Sequence, residues 1–136
     1  MHYLTVGELA DQAGVTKVAI RYYERCGLLP KATRLSSGYR AYPEIIINRL
    51  RFIKNAKSVG FTLEEIQELI ALQEQPNATS QDIKSRTTIK LGIIQEKIQS
   101  LQQMANTLEQ LVQSCDGQGT LHQCPILETL YKKTVR

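Results

Sequence analysis

No run of this sequence approaches the roughly eighteen uncharged apolar residues of a membrane span, and its N-terminus lacks the basic stretch and apolar core of a secretion signal. Both absences point to a cytoplasmic protein without a membrane partner. Histidine is scarce, with His2 and His122 alone. No Ser/His/Asp or Cys/His arrangement with supporting context can be assembled from them, nor any Gly-rich phosphate loop, which argues against an enzyme. Cysteine is scarce too: Cys26, Cys115 and Cys124 are odd in number and ill suited to a disulfide framework, which leaves metal or thiol chemistry open.

What is present is enough apolar character, 42% over 136 residues, to exclude a disordered chain. That length suits one ordinary domain, or a small domain plus an extended element that needs a partner to bury its apolar face. The charge is uneven. Residues 1–60 carry ten Lys or Arg against Glu8, Asp11, Glu24 and Glu44, whereas residues 61–136 carry seven against nine acids. The basic half is the candidate nucleic-acid face, with an ordinary solvated basic surface as the alternative.

Local signals divide the chain. Thr5 with Glu8 forms a capping-box pattern ahead of Val6, Leu9 and Ala10, and Gly14 ends that helix. Thr16 opens a second helix with Val18, Ala19, Tyr22 and Tyr23 at helical spacing, closed by Gly27. Two short helices around a Gly-containing turn make a helix-turn-helix. Pro30, Ser36, Ser37 and Gly38 lie among short apolar segments from Leu28 to Tyr42 and read as a hairpin, a wing beside that motif. Pro43 suits the first turn of a helix reaching Ser58, and Thr62 with Glu65 opens a fourth helix to about Gln73.

After Pro76-Asn77, Ser80 caps a long stretch in which Leu91, Ile94, Ile98, Leu101, Ala105, Leu108 and Val112 alternate steps of three and four. A helix from Gln81 to Ser114 would be about 50 Å long, too long to bury its stripe on so small a domain. Self-pairing into a homodimer follows, since no second helix of comparable length exists to make a hairpin. Gly92 inside the stretch costs about 1 kcal/mol in propensity. Pro125 opens a short helix through Ile126, Leu127, Leu130 and Tyr131.

The expected fold is therefore mainly α: a winged helix-turn-helix over 1–75, a dimerisation helix over 80–114, and a loop with a C-terminal helix over 115–136. In the second helix Lys17, Arg21 and Arg25 recur every four residues on one edge, with Thr16 at its start, as in a recognition helix. An Arg there either pairs with guanine or neutralises phosphate. In the wing, Arg34, Tyr39 and Arg40 suit phosphate contacts. Tyr22 joins the DNA-binding set, although core packing is the bland reading for at least one of Tyr22, Tyr23 and Tyr42. Cys26, beside Gly27, reads as a half-buried thiol.

The segments Thr5 to Ala10, Ala19 to Glu24, Gly27 to Leu29, Gly38 to Tyr42, Leu50 to Ile53 and Gly60 to Ile66 together closely resemble the MerR family over nearly the whole chain. The resemblance implies an antiparallel coiled-coil dimer that bends and untwists promoter DNA to activate transcription by RNA polymerase. It also makes Cys115 and Cys124, which enclose Asp116 to Gln123, look like the metal-binding loop of the metal-sensing branch, where a generic Cys-x8-Cys alone is a weak signal. Drug sensors of this fold carry a larger C-terminal domain and an iron-sulfur sensor needs four cysteines. A metal buffer would have no use for a winged helix.

Two thiolates suit a linear soft ion such as Cu(I). In the family's divalent-ion sensors a further cysteine from the partner's long helix completes the site, and the copper-efflux regulators have serine there, as at Ser80 here. Zn(II) would need His122, Asp116 or water, while Lys84 could offset the charge of a buried bis-thiolate. The loop is one residue longer than in copper regulators and matches zinc and mercury sensors, so a Zn(II), Cd(II), Pb(II) or Hg(II) sensor stands as the alternative to copper efflux control.

Overall fold

A computed structural model describes residues 3–34 and 40–132. The elements run β1 (Tyr3–Leu4), α1 (Val6–Ala13), α2 (Lys17–Arg25), β2 (Thr33–Arg34), β3 (Arg40–Pro43), α3 (Ile46–Ser58), α4 (Leu63–Gln73), α5 (Ser80–Ser114) and α6 (Pro125–Leu130), with one 3₁₀ turn at Leu121–Gln123. The chain forms two compact units, Met1–Thr87 and Thr88–Arg136.

Caps define the first unit's helices. The Thr5 hydroxyl accepts the Glu8 N–H (3.1 Å) and the Glu8 carboxylate accepts the Thr5 N–H (3.0 Å); Thr62 and Glu65 repeat this at α4 (3.2 and 2.8 Å). Each box satisfies two N–H groups that the helix ladder cannot. Gly14 ends α1 at φ 70°, and a Cβ there would stand 2.8 Å from Lys54 Nζ, which donates to the Gly14 carbonyl at 3.0 Å. Only glycine meets both demands.

Leu9, Ile20, Leu50, Ile53 and Ile66, one or two from each of the four helices, are fully buried in one cluster with Leu4, Leu28 and Tyr42. Each such aliphatic burial is worth about 1.5–3 kcal/mol, so the helix-turn-helix is held as one body by α3 and α4. The sheet is small, in the order β1-β3-β2 and antiparallel throughout. β3 pairs Tyr42 with Leu4 and Ala41 with Thr33, which tethers the wing to the N-terminal strand.

Three expectations change. β1 is a strand that two residues of sequence are too short to announce. Pro43 ends β3 opposite Tyr3 instead of opening a helix. It stands past the register of β2, where a missing N–H is tolerated, and α3 begins at Ile46. Ser80 is the first residue of α5 and not its cap: the Thr79 N–H donates to Asp82 Oδ2 at 2.8 Å, so Thr79 closes the helix start.

Between α2 and the wing, the Tyr42 hydroxyl donates to Glu24 Oε1, and the Ala32 N–H donates to Glu24 Oε2 at 3.4 Å. Glu24→Ala removes the acceptor of both, and hydrogen bonds to a charged group carry about 1.5–3 kcal/mol. We expect a loss in that range in a urea unfolding titration; an unmoved midpoint would show that the clamp does not hold the wing.

Candidate functional site

The first candidate surface is one side of α2. The Thr16 hydroxyl caps the helix by accepting the Ala19 N–H at 3.0 Å. At 100° per residue, Lys17, Arg21, Arg25, Val18 and Tyr22 share an arc of about 140°. All five are exposed, while Ile20 and Tyr23 turn into the core. The Lys17 stem lies against Gly7 of α1, where a Cβ would meet its Cε at 3.4 Å. The Arg25 guanidinium stands 5.9 Å from the centre of the Tyr22 ring, a cation–π contact.

The three tyrosines part company. Tyr23 and Tyr42 are core residues at 6% and 1% exposure, and Tyr22 is 43% exposed. The Cys26 side chain, through hydrogen bonding and the charge its thiolate would carry, holds the Tyr22 phenol above the usual tyrosine range. Cys26 is half-buried, and its carbonyl accepts from Gln67 Nε2 of α4 at 2.8 Å. Nothing in the sequence pattern flagged this link, because it joins residues 41 apart.

Arg34 is exposed on β2 and in register with Arg40 of β3. Tyr39 and the side chain of Arg40 lie outside the described residues, as does His2.

The second candidate is the loop after α5. Cys115 and Cys124 are both half-buried free thiols. Gly117 and Gly119 take φ of 79° and 93°, conformations that suit glycine and fold the loop back on itself. The Asp116 carboxylate accepts the Gln118 N–H at 2.8 Å, and Cys115 Sγ accepts the Gly117 N–H at 3.4 Å. The Cys124 thiol is held below the usual thiol range by the Leu127 N–H, then by the Ile126 N–H and by the Cys115 side chain, against a smaller opposing effect of burial. The charged form of Cys124 is thus favoured over that of an ordinary thiol, with the Cys115 side chain among the causes. That is the donor chemistry a soft metal ion requires, because the thiolate is the ligand.

Among the described residues, no group of three or more His, Cys, Asp or Glu side chains is placed to hold an ion. His122 is exposed in the 3₁₀ turn and Asp116 is exposed and bonded within the loop. Ser80 and Lys84 are exposed on the first two turns of α5, whereas Cys115 follows its last residue.

No helix among the described residues is long and apolar enough to cross a membrane. A family model described as MerR HTH family regulatory protein matches residues 4–73, and one described as MerR, DNA binding matches residues 47–111. The chain is 42% identical over 128 residues to the mercuric resistance operon regulatory protein of Bacillus cereus, covering 94% of this chain and 97% of that one. It is 39% identical over 127 residues to the HTH-type transcriptional regulator CueR of Escherichia coli O6:H1, covering 93% of each. The crystal structure of PbrR691 from Ralstonia metallidurans CH34 in complex with lead(II) superposes with a TM-score of 0.84 at 30% identity, covering 93% of this chain and 98% of that chain.

Because its lowered pKa raises the thiolate fraction at a given pH, Cys124 should be alkylated by iodoacetamide with a rate midpoint below that of an unstructured cysteine peptide, about 8.5. A pH series read by peptide mass spectrometry checks this. A midpoint at or above the peptide's would remove the thiolate argument.

Proposed function

Because the chain belongs to the MerR family of metal-responsive, DNA-binding transcriptional regulators, we propose that its inducer is Cu(I), held by Cys115 and Cys124 and read out as distortion of a promoter. Residues 1–75 bind DNA, residues 80–114 pair two copies, and residues 115–136 carry the ion. The protein acts in the cytoplasm, activates transcription by RNA polymerase and controls genes of metal efflux or detoxification.

The observation that carries the metal reading is the pair of half-buried free thiols at the two ends of one short loop, Cys124 with its pKa lowered, and no group of three or more His, Cys, Asp or Glu placed to hold an ion among the described residues. Two thiolates complete the coordination of a linear monovalent ion and leave a tetrahedral divalent ion short of ligands. Ser80, where the resemblance puts cysteine in divalent sensors, adds no thiolate from a partner. In the antiparallel pairing that the resemblance implies, Lys84 near the start of a second copy's α5 would offset the negative charge of a bis-thiolate. The relatives do not choose, since 42% and 39% identity divide between a mercuric regulator and CueR.

A second reading is favoured by the eight residues between the cysteines together with an exposed His122 inside that same loop. In a reporter strain Cys115→Ser or Cys124→Ser should abolish the response to Cu(I) while apo protein still binds the promoter. His122→Ala should leave it nearly unchanged, and X-ray absorption of the Cu(I) complex should show two sulfurs. Tight Zn(II) binding through a nitrogen that His122→Ala removes, with no response to Cu(I), would establish the divalent reading instead.

DNA reading is assigned to Thr16, Lys17, Arg21 and Tyr22 of α2 and to Arg34, Tyr39 and Arg40 of the wing. A cationic surface supplies affinity through phosphates and lets a few side chains supply sequence. The dimer rests on α5, where Leu91, Ile98, Leu101, Leu108 and Val112 are each more than half exposed in the single chain. Replacing Leu101 and Leu108 together by Lys should give monomers in sedimentation velocity with at least tenfold weaker promoter binding. This follows from losing one of two linked half-sites, order-of-magnitude reasoning from multivalency. A wild-type monomer would contradict the assignment.

A further inference from the structure

We infer that Val18 reads a base: its isopropyl group meets the 5-methyl of a thymine in the major groove. The inference rests on the DNA-reading role proposed above for α2.

Helical spacing groups Val18 with Ala19, Tyr22 and Tyr23 as a stripe, which would make it a core residue. The structure turns it out to 74% exposure, on the same side as Lys17, Arg21, Tyr22 and Arg25. At about 100° around α2 from Lys17, it stands between Arg21 near 40° and Tyr22 near 140°. It is also in the helix's first turn, two residues past the Thr16 cap, and the N-terminal residues of a recognition helix are those that reach base edges.

The chemistry of that side of α2 selects the partner. Its charged residues are Lys17, Arg21 and Arg25. The one carboxylate of α2, Glu24, is committed to Tyr42 and the Ala32 N–H. A partner must therefore be anionic and must also offer an apolar point in the middle of the contact. Duplex DNA does so at one place, since thymine alone among the four bases presents a methyl on the major-groove edge. Valine has neither donor nor acceptor and cannot read the other base edges. Its β-branched side chain holds one dominant rotamer in a helix, so the methyls are fixed in place before contact. Valine is moreover a weaker helix former than the alanine, lysine or glutamate that a merely solvated position would suit.

The probe is obtained by selecting duplexes from a random pool with the full-length wild-type protein. Each thymine of the selected half-site is then replaced in turn by deoxyuridine, which deletes only the 5-methyl. One position should lose about fourfold in affinity, and about sixteenfold when both half-sites lose it, the worth of one buried methyl per contact. Val18→Ser, whose fold is checked by circular dichroism, should bind thymine and uridine duplexes equally. A selected site without thymine, full affinity for every uridine duplex, or an equal uridine penalty in Val18→Ser would overturn the inference while DNA binding stands. Failure to select any sequence would instead overturn the proposed function, and this inference with it.

Discussion

An apolar stripe about six turns long, most of it more than half exposed in the single chain, is the constraint on which the rest depends. Over α5 the residues Leu91, Ile98, Leu101, Met104, Leu108 and Val112 are more than half exposed, while the buried core is drawn almost wholly from residues 4–70. Most of the stability of a helix in a protein comes from packing its apolar face, and α5, 35 residues long, leaves much of that face exposed in the single chain. Burying that stripe on a second copy stabilises the helix. The pairing also brings two DNA-reading units under one association, in the way that linked sites raise avidity without new contacts.

The thiol loop follows a different logic. Its residues are hardly packed; order comes from turns at Gly117 and Gly119, the Asp116 bond and the 3₁₀ turn before Cys124. Such a segment is cheap to rearrange. An ion held as proposed by Cys115 and Cys124 would therefore have a low-stability element to bias, which a sensor requires and a structural metal site does not. Backbone N–H groups around Cys124 lower the cost of removing its proton before any ion arrives.

The proposed DNA-reading surface is a division of labour among similar residues. Tyr22, Tyr23 and Tyr42 do three things: Tyr23 fills the core, Tyr42 ties the wing to Glu24, and Tyr22 stays at the surface with its phenol pKa raised by Cys26. Glu24 is as important as the cations, since directing its carboxylate into the wing clamp removes the one negative charge that α2 would otherwise present to phosphate.

Much of this was legible in the sequence, and for physical reasons that are local. Capping boxes at Thr5 and Thr62, the turn at Gly14 and the alternating steps of three and four after Ser80 act over a single helical turn, so four residues at a time reveal them. Resemblance to MerR regulators, carried by segments from Thr5 to Ile66, named the family that the comparisons bear out. The sequence by itself determined the helices, the exposed α5 stripe and the two cysteines at its end. Tertiary structure decided what depends on contacts between distant residues. It made Pro43 a strand end because Tyr3 pairs with it, sent Glu24 to Tyr42 instead of solvent, bonded Cys26 to α4 and turned Val18 outward once Ile20 and Tyr23 had filled the core. Periodicity states which residues share a face; only the packed neighbours state which face is covered.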